Sequence, residues 1–234
     1  MVAVSTAEEK LYKEIWEAKV SREKDLAADG SLRATSAAKI IGTGKRVLDI
    51  GCGEGSFLMQ VREKFEEVYG IDISDIATEL CLKNNIIAKK ANLNNEPLPF
   101  PDEYFDTVVT LDVIEHVFDP VLFINEIKRV LMHGGYTIIS TPNIRKIQRI
   151  TSLIMGHFPR TSYDPVGFDG GHLHYFTSKD LRQLLEQNGF HVELVDGLCG
   201  DRRTWKYQLA VFVMGKAFEK EFLSGGLLVK ARKL

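Results

Sequence analysis

Three groups of residues in this sequence have the types and spacing to do chemistry. The first is Val47-Leu48-Asp49-Ile50-Gly51-Cys52-Gly53-Glu54-Gly55, an apolar run that turns on alternate glycines before Phe57, Leu58 and Val61 resume at helical spacing. Glycines in such a turn let the backbone approach a ligand that a Cβ would hold off. Two phosphate-binding loops do not fit it. A dinucleotide fingerprint needs glycine where Ser56 stands, and a P-loop needs a lysine that the turn lacks. The second group is Asp112-x-x-Glu115-His116. An imidazole titrates where a general base is useful, which makes His116 a catalytic candidate, with Asp112 facing a ligand amino group. At i, i+3 and i+4 the run would share a helical face, and a metal could sit there if His172 or His174 folded back. Acids near a helix start are ordinary surface features, however, and no metal is assigned. The third group lies between residues 143 and 176, where His157, Phe158, Tyr163, Phe168, His172, His174, Tyr175 and Phe176 cluster. His174 is the second catalytic candidate.

The surroundings of the glycine turn are acidic: Asp49 before it, Glu54 within it, and Asp72 at the end of the next apolar run. Carboxylates repel phosphate but suit a ligand that carries hydroxyls and positive charge. Asp72 lies 21 residues after Gly51, the place from which an acid bonds both hydroxyls of a ribose. An adenosine with a cationic sulfonium and an amino-acid tail, S-adenosylmethionine, meets all of these demands.

The segment from 47 to 143 then resembles the class I S-adenosylmethionine-dependent methyltransferases, motif by motif and in order. Val47 to Gly55 is similar to their first motif. Tyr69-Gly70-Ile71-Asp72-Ile73-Ser74 resembles the ribose-binding strand end, and Ala91-Asn92-Leu93 the adenine-edge segment. Leu111 to Val117 resembles the motif after the fourth strand, and His133-Gly134-Gly135 the turn before the fifth. The resemblance implies cofactor contacts from Asp49, Gly51, Cys52, Gly53, Asp72, Ile73, Asn92, Leu93, Leu111 and Asp112. Asn92 stands where an acid is usual, and its amide oxygen can still accept from an adenine amino group. Asp112-x-x-Glu115-His116 with Asp119-Pro120 is similar to quinone and other small-molecule methyltransferases. Ser140-Thr141-Pro142-Asn143 with the histidines of the insert resembles the MetW-like proteins.

These residues need a scaffold. Short apolar runs at 46–50, 68–72, 86–88, 105–111, 136–140, 191–195 and 227–231 read as strands. Helical stretches at 7–28, 34–41 and 202–222, and after Phe57, Ser74, Asp119-Pro120 and Thr177, alternate with them. Gly134-Gly135 and Gly189 read as helix stops. Alternation of this kind implies an α/β fold, a Rossmann-like doubly wound sheet covered on both faces. The resemblance makes it seven-stranded with the last strand antiparallel. The chain is read as one domain: an N-terminal helical cap (1–44), a cofactor-binding core (45–142), a substrate lid (143–176) and the remainder of the sheet (177–234). In the lid, Ile147, Ile150 and Ile154 share a helical face opposite Arg145, Lys146 and Arg149, as in an amphipathic cover helix.

Composition narrows the function classes. Lys+Arg is 30 against Asp+Glu 32 in 234 residues, which speaks against an obligate nucleic-acid binder. Three cysteines far apart in sequence suit a reducing compartment rather than a disulfide framework. No apolar run approaches the ~18 residues that would suggest a membrane span, and residues 1–9 do not resemble a signal peptide, so a cytoplasmic location is expected. After the fourth strand, Leu111-Asp112-Val113-Ile114 replaces the Asn/Asp-Pro-Pro-aromatic motif of base and amide N-methyltransferases. The expected function is therefore methyl transfer to an oxygen of a small, anionic or lipophilic molecule. The alternative is a cofactor-binding activator or regulator of another enzyme, as in the MetW-like proteins.

Overall fold

The computed structural model of the chain describes residues 7–21, 31–162, 167–200 and 205–234. Among these, β1 (Gly44–Ile50), β2 (Phe65–Asp72), β3 (Ile87–Lys90), β4 (Phe105–Leu111), β5 (Leu131–Pro142), β6 (Phe190–Leu198) and β7 (Gly226–Lys233) form one seven-stranded sheet in the order β3-β2-β1-β4-β5-β7-β6. Strands β1 to β5 run parallel, and β7 lies antiparallel to both β5 and β6. The Rossmann-like α/β sheet with its last strand reversed is the one the motif order implies. The helices are α1 (Ala7–Ser21), α2 (Ser31–Ile40), α3 (Ser56–Val61), α4 (Asp75–Lys83), α5 (Pro120–Val130), α6 (Ile147–Ile154), α7 (Ser178–Gln187) and α8 (Trp205–Phe218).

Continuous apolar strands feed two cores, because successive side chains point to opposite faces of a sheet. Leu48, Val108, Ile139 and Val229 enter one core with α5 and α7; Val47, Val109, Ile138 and Leu228 enter the other with α2 and α3. Local caps fix where the covering helices start. Asp119 Oδ1 accepts the amides of Val121 (2.8 Å) and Leu122 (3.1 Å) ahead of Pro120. Thr177 and Asp180 form a reciprocal capping box for α7, and Ser74 caps α4 through the Ala77 amide.

The structure departs from the sequence reading in three places. Gly134-Gly135 does not stop a helix: α5 has already ended at Val130, and β5 runs through both glycines from Leu131. A Cβ on Gly135 would lie 2.9 Å from the carbonyl oxygens of Asp106 and Met132, so the strand needs a glycine to pass that point. The long C-terminal helix is broken at Gly215 (φ 81°), and residues 202–204 lie outside the described residues. Of the first helix, read over 7–28, the structure describes Ala7–Ser21, and 22–28 lie outside the described residues. Finally, α6 buries none of its residues, and Ile154 is 79% exposed. The side chain that ties α6 to the body is Arg149, which donates to the carbonyls of Asn143 (2.5 Å), Gly225 (2.9 Å), Arg160 (3.2 Å) and Thr161 (3.3 Å). Four waiting backbone acceptors outweigh an apolar stripe none of whose residues is buried.

Candidate active site

The order of strands reverses between β1 and its neighbours β2 and β4, and in open α/β sheets ligands bind outside the carboxyl ends at such a point. The three loops that leave those ends carry the sequence-selected residues. In the β1 turn, the amides of Gly51 (2.7 Å) and Cys52 (3.0 Å) both donate to the Ile71 carbonyl at the end of β2. Asp72 then locks the two loops together. Its Oδ2 accepts the Gly53 amide at 3.0 Å and its Oδ1 the Ser74 amide at 2.9 Å. Gly51 has φ 74°, and a Cβ there would meet Val113 Cγ2 at 2.4 Å. Left-handed backbone costs a residue with a Cβ about 1–2 kcal/mol and an overpacked contact about 1–3 kcal/mol. Gly51→Ala is therefore expected to destabilise the chain by about 2–5 kcal/mol, read as a lowered urea midpoint with an unchanged slope.

Asp49 sits beneath the turn, buried, with an Oδ1 that has no hydrogen-bond partner. Burial above all, and then the charges of Cys81, Asp72 and Glu54, push its carboxyl well above the usual carboxylate range. A cationic group in the cleft would relieve that site. On the far side, Asn92 is buried with its Oδ1 on the Asn94 amide at 3.0 Å, while Ile73 and Leu93 complete that wall.

The Asp112-x-x-Glu115-His116 run is neither helical nor a solvated surface. Residues 112–118 form turns before α5, with Asp112 at φ 56°. The Asp112 carboxylate accepts from Arg33 of α2 and, at 2.5 Å, from the Ser140 hydroxyl. Glu115 is 0% exposed. One of its oxygens takes the Thr141 hydroxyl at 3.1 Å, and the other, Oε1, has no hydrogen-bond partner. Burial, then the Asp112 charge, hold its carboxyl well above the ordinary range. The Glu115 carbonyl accepts the amides of Leu173 (2.8 Å) and His174 (3.0 Å), and this pins the lid to the floor of the cleft. As a result His172 lies against His116, ring centroids 4.6 Å apart, with Nε2 4.0 Å from Glu115 Oε1. Its Nδ1 faces the Thr161 hydroxyl at 2.6 Å, and burial holds the imidazole below its usual pKa. Ligand atoms of Glu115, His116 and His172 all fall within 4.8 Å of one another.

A single cleft of about 950 Å³ joins these features. Asp49, Gly51, Cys52, Gly53, Asp72, Ile73, Asn92, Leu93, Leu111, Asp112 and His116 all line it. His174 is not among the lining residues; its Nε2 meets the Phe118 carbonyl at 3.3 Å. The neighbouring His172 takes the place in the cleft instead. Sequence reasoning passed over Tyr12, Trp16 and Arg33, which reach the cleft from the helical cap. Trp16 closes over the turn: a Cβ on Gly53 would sit 3.1 Å from its ring. Nothing local marks these residues, because their role depends on how α1 and α2 dock.

A family model described as a methyltransferase domain matches residues 21–195. The chain belongs to the class I S-adenosylmethionine-dependent methyltransferases. The cofactor of this methyltransferase family is S-adenosylmethionine, the ligand its acidic turn suggests. A Mycolicibacterium smegmatis relative named "Probable S-adenosylmethionine-dependent methyltransferase" is 33% identical over 152 residues, which are 64% of this chain and 53% of the relative. The chain thus spans about half the length of that curated relative. A ubiquinone biosynthesis O-methyltransferase of Ruegeria sp. is 26% identical over 71% of this chain and 68% of its own. The solved structure of a methyltransferase from Archaeoglobus fulgidus has the same fold, with a TM-score of 0.65 over 92% of this chain and 99% of that one at 20% identity. No helix among the described residues of this methyltransferase is long and apolar enough to cross a membrane.

Proposed function

We propose that this methyltransferase moves the methyl group of S-adenosylmethionine to an oxygen of a small acceptor. One observation carries the reading: a single cleft is lined both by the acidic glycine turn and by His116 and His172, with Glu115 buried within reach of the two imidazoles. Asp72 would hold the ribose hydroxyls, with Ile73, Asn92 and Leu93 along the adenine. Asp49 and the turn at Gly51, Cys52 and Gly53 would sit at the charged methionine end, with Leu111 and Asp112 closing it. The acceptor oxygen attacks the methyl carbon as the carbon–sulfur bond breaks, S-adenosylhomocysteine leaves as a neutral thioether, and the hydroxyl proton needs a base. In a metal-free site His116 or His172, both lining the cleft, would accept that proton. The absence of the Pro-Pro-aromatic amide-binding motif and the O-methyltransferase relative both favour oxygen.

Glu115, His116 and His172, to which the sequence reading assigned no metal, also have the donor set and spacing for a divalent cation. The buried and hydrogen-bond-free Glu115 Oε1 is a strong ligand atom, and two imidazoles with a carboxylate suit a first-row divalent ion. Bound there, such an ion would supply a Lewis acid that makes an acceptor hydroxyl easier to deprotonate. The regulatory alternative draws less support, because the cleft runs on past the glycine turn to Pro142, Ser162 and Leu223 and leaves space for a second molecule. The test is release of S-adenosylhomocysteine across a panel of phenols, enols and hydroxy acids. Acceptor-dependent release that falls at least 100-fold in His116→Ala is expected. Cofactor binding without turnover on any acceptor sinks the proposal.

A further inference from the structure

Among the described residues, the acids of the cleft lie around the glycine turn, Asp72 and Asp112, and its far end carries a cation that none of them answers. Lys146 lines the cleft between β5 and α6, with Pro142, Ser162, Leu198 and Leu223 also on the wall. Its side chain is half-buried, and its Nζ reaches within 4.0 Å of where a Cβ on Gly225 would stand. Burial, reinforced by the Arg149 guanidinium, pushes the ammonium below its usual pKa. Among the described residues it has no ion-pair partner and no side-chain hydrogen bond. The neighbouring arginines are already occupied: Arg145 pairs with Glu221 at 2.9 Å and lies over the Phe222 ring. Arg149 donates to four backbone carbonyls, and Arg33 pairs with Asp112. Holding an unanswered charge partly out of water is unfavourable unless a ligand brings the counter-charge.

We infer that Lys146 receives a carboxylate carried by the methyl acceptor, and so selects hydroxy acids with an apolar body. This rests on the methyl-transfer reading above. A single ammonium with no free guanidinium beside it among the described residues matches one negative charge, whereas phosphate sites favour bidentate arginine forks. Pro142, Leu198 and Leu223 supply the apolar wall that the body of such an acid would face.

The test is calorimetric titration of the chain saturated with S-adenosylhomocysteine. The probes are 4-hydroxybenzoate against 4-hydroxybenzamide, and 10-hydroxydecanoate against its amide. In at least one pair the acid should bind about tenfold more tightly than the amide, the usual scale for a charge-assisted hydrogen bond. In K146Q the two members should bind within twofold of each other, and K146R should keep the preference. An unchanged S-adenosylhomocysteine affinity shows that the K146Q cleft is intact. Equal binding of acid and amide, binding of neither, or a preference that survives in K146Q overturns the inference alone. Failure of S-adenosylhomocysteine to bind at all overturns the methyl-transfer reading and this inference with it.

Discussion

Replacing Asp72 with alanine is expected to weaken S-adenosylmethionine binding by at least about 100-fold, because it removes two kinds of contact at once. The ribose hydroxyls that we propose it holds would lose charge-assisted hydrogen bonds worth about 1.5–3 kcal/mol each. The turn also loses its lock, since the Gly53 and Ser74 amides both donate to this carboxylate and would be left without it. Each buried amide without an acceptor costs about 1–3 kcal/mol, so the unfolding midpoint should fall as well. Asp72→Asn separates the two effects. An amide oxygen can still accept from one backbone amide, so stability should partly recover while cofactor affinity stays low. Calorimetry with S-adenosylmethionine beside urea unfolding checks both, and wild-type affinity in Asp72→Ala would refute the assignment of this site.

The second large effect is expected at the lid histidine. In metal-stripped chain, Mn²⁺ should bind with a 1:1 stoichiometry that is lost in His172→Ala and in Glu115→Gln. Changing a residue that merely orients a ligand costs 10–100-fold in metal affinity, so removing a ligand should cost about 100-fold or more. Turnover should fall with chelator and return with Mn²⁺ or Mg²⁺, whereas His174→Ala should leave metal affinity within twofold, because that imidazole meets the Phe118 carbonyl outside the cleft. S-adenosylmethionine affinity gives a readout that loss of the metal alone should barely move. Undiminished Mn²⁺ binding in both variants, or none in the natural chain, defeats the metal site.

The parts of this molecule that could be read from sequence are those set by local chemistry. The glycine turn, the acid at the end of β2, the Asp119-Pro120 start and the Thr177–Asp180 box each satisfy backbone groups within a few residues, so short windows reveal them. What stayed hidden depends on distant partners. Asp112, Glu115 and His116 have the spacing of one helical face, but the Glu115 carbonyl receives two lid amides from beyond residue 170 and the Asp112 carboxylate receives Arg33 from the cap. His172 and His174 are equivalent in a sequence window; only the path of the lid, pinned at Leu173 and His174, decides which imidazole enters the cleft. The stripe Ile147, Ile150, Ile154 misled for the same reason. A hydrophobic face says that a helix is amphipathic, not that a neighbour is there to cover it, and here Arg149 makes the attachment.

The amino-terminal helix touches three parts of the cleft that have different duties. Trp16 lies over the glycine turn, the Tyr12 ring stands edge-on to His116 at 5.8 Å, and Leu11 packs where a Cβ on Gly171 would be 3.3 Å away. Whatever fills the space beneath must bias how firmly α1 docks, and by thermodynamic reciprocity α1 biases the filling equally. Elements held by few interior contacts open locally long before a sheet unfolds. The backbone amides of residues 7–21 should therefore work as an occupancy gauge. Their deuterium uptake would track how full the cleft is, while the amides of β1 and β4 keep time with the whole sheet.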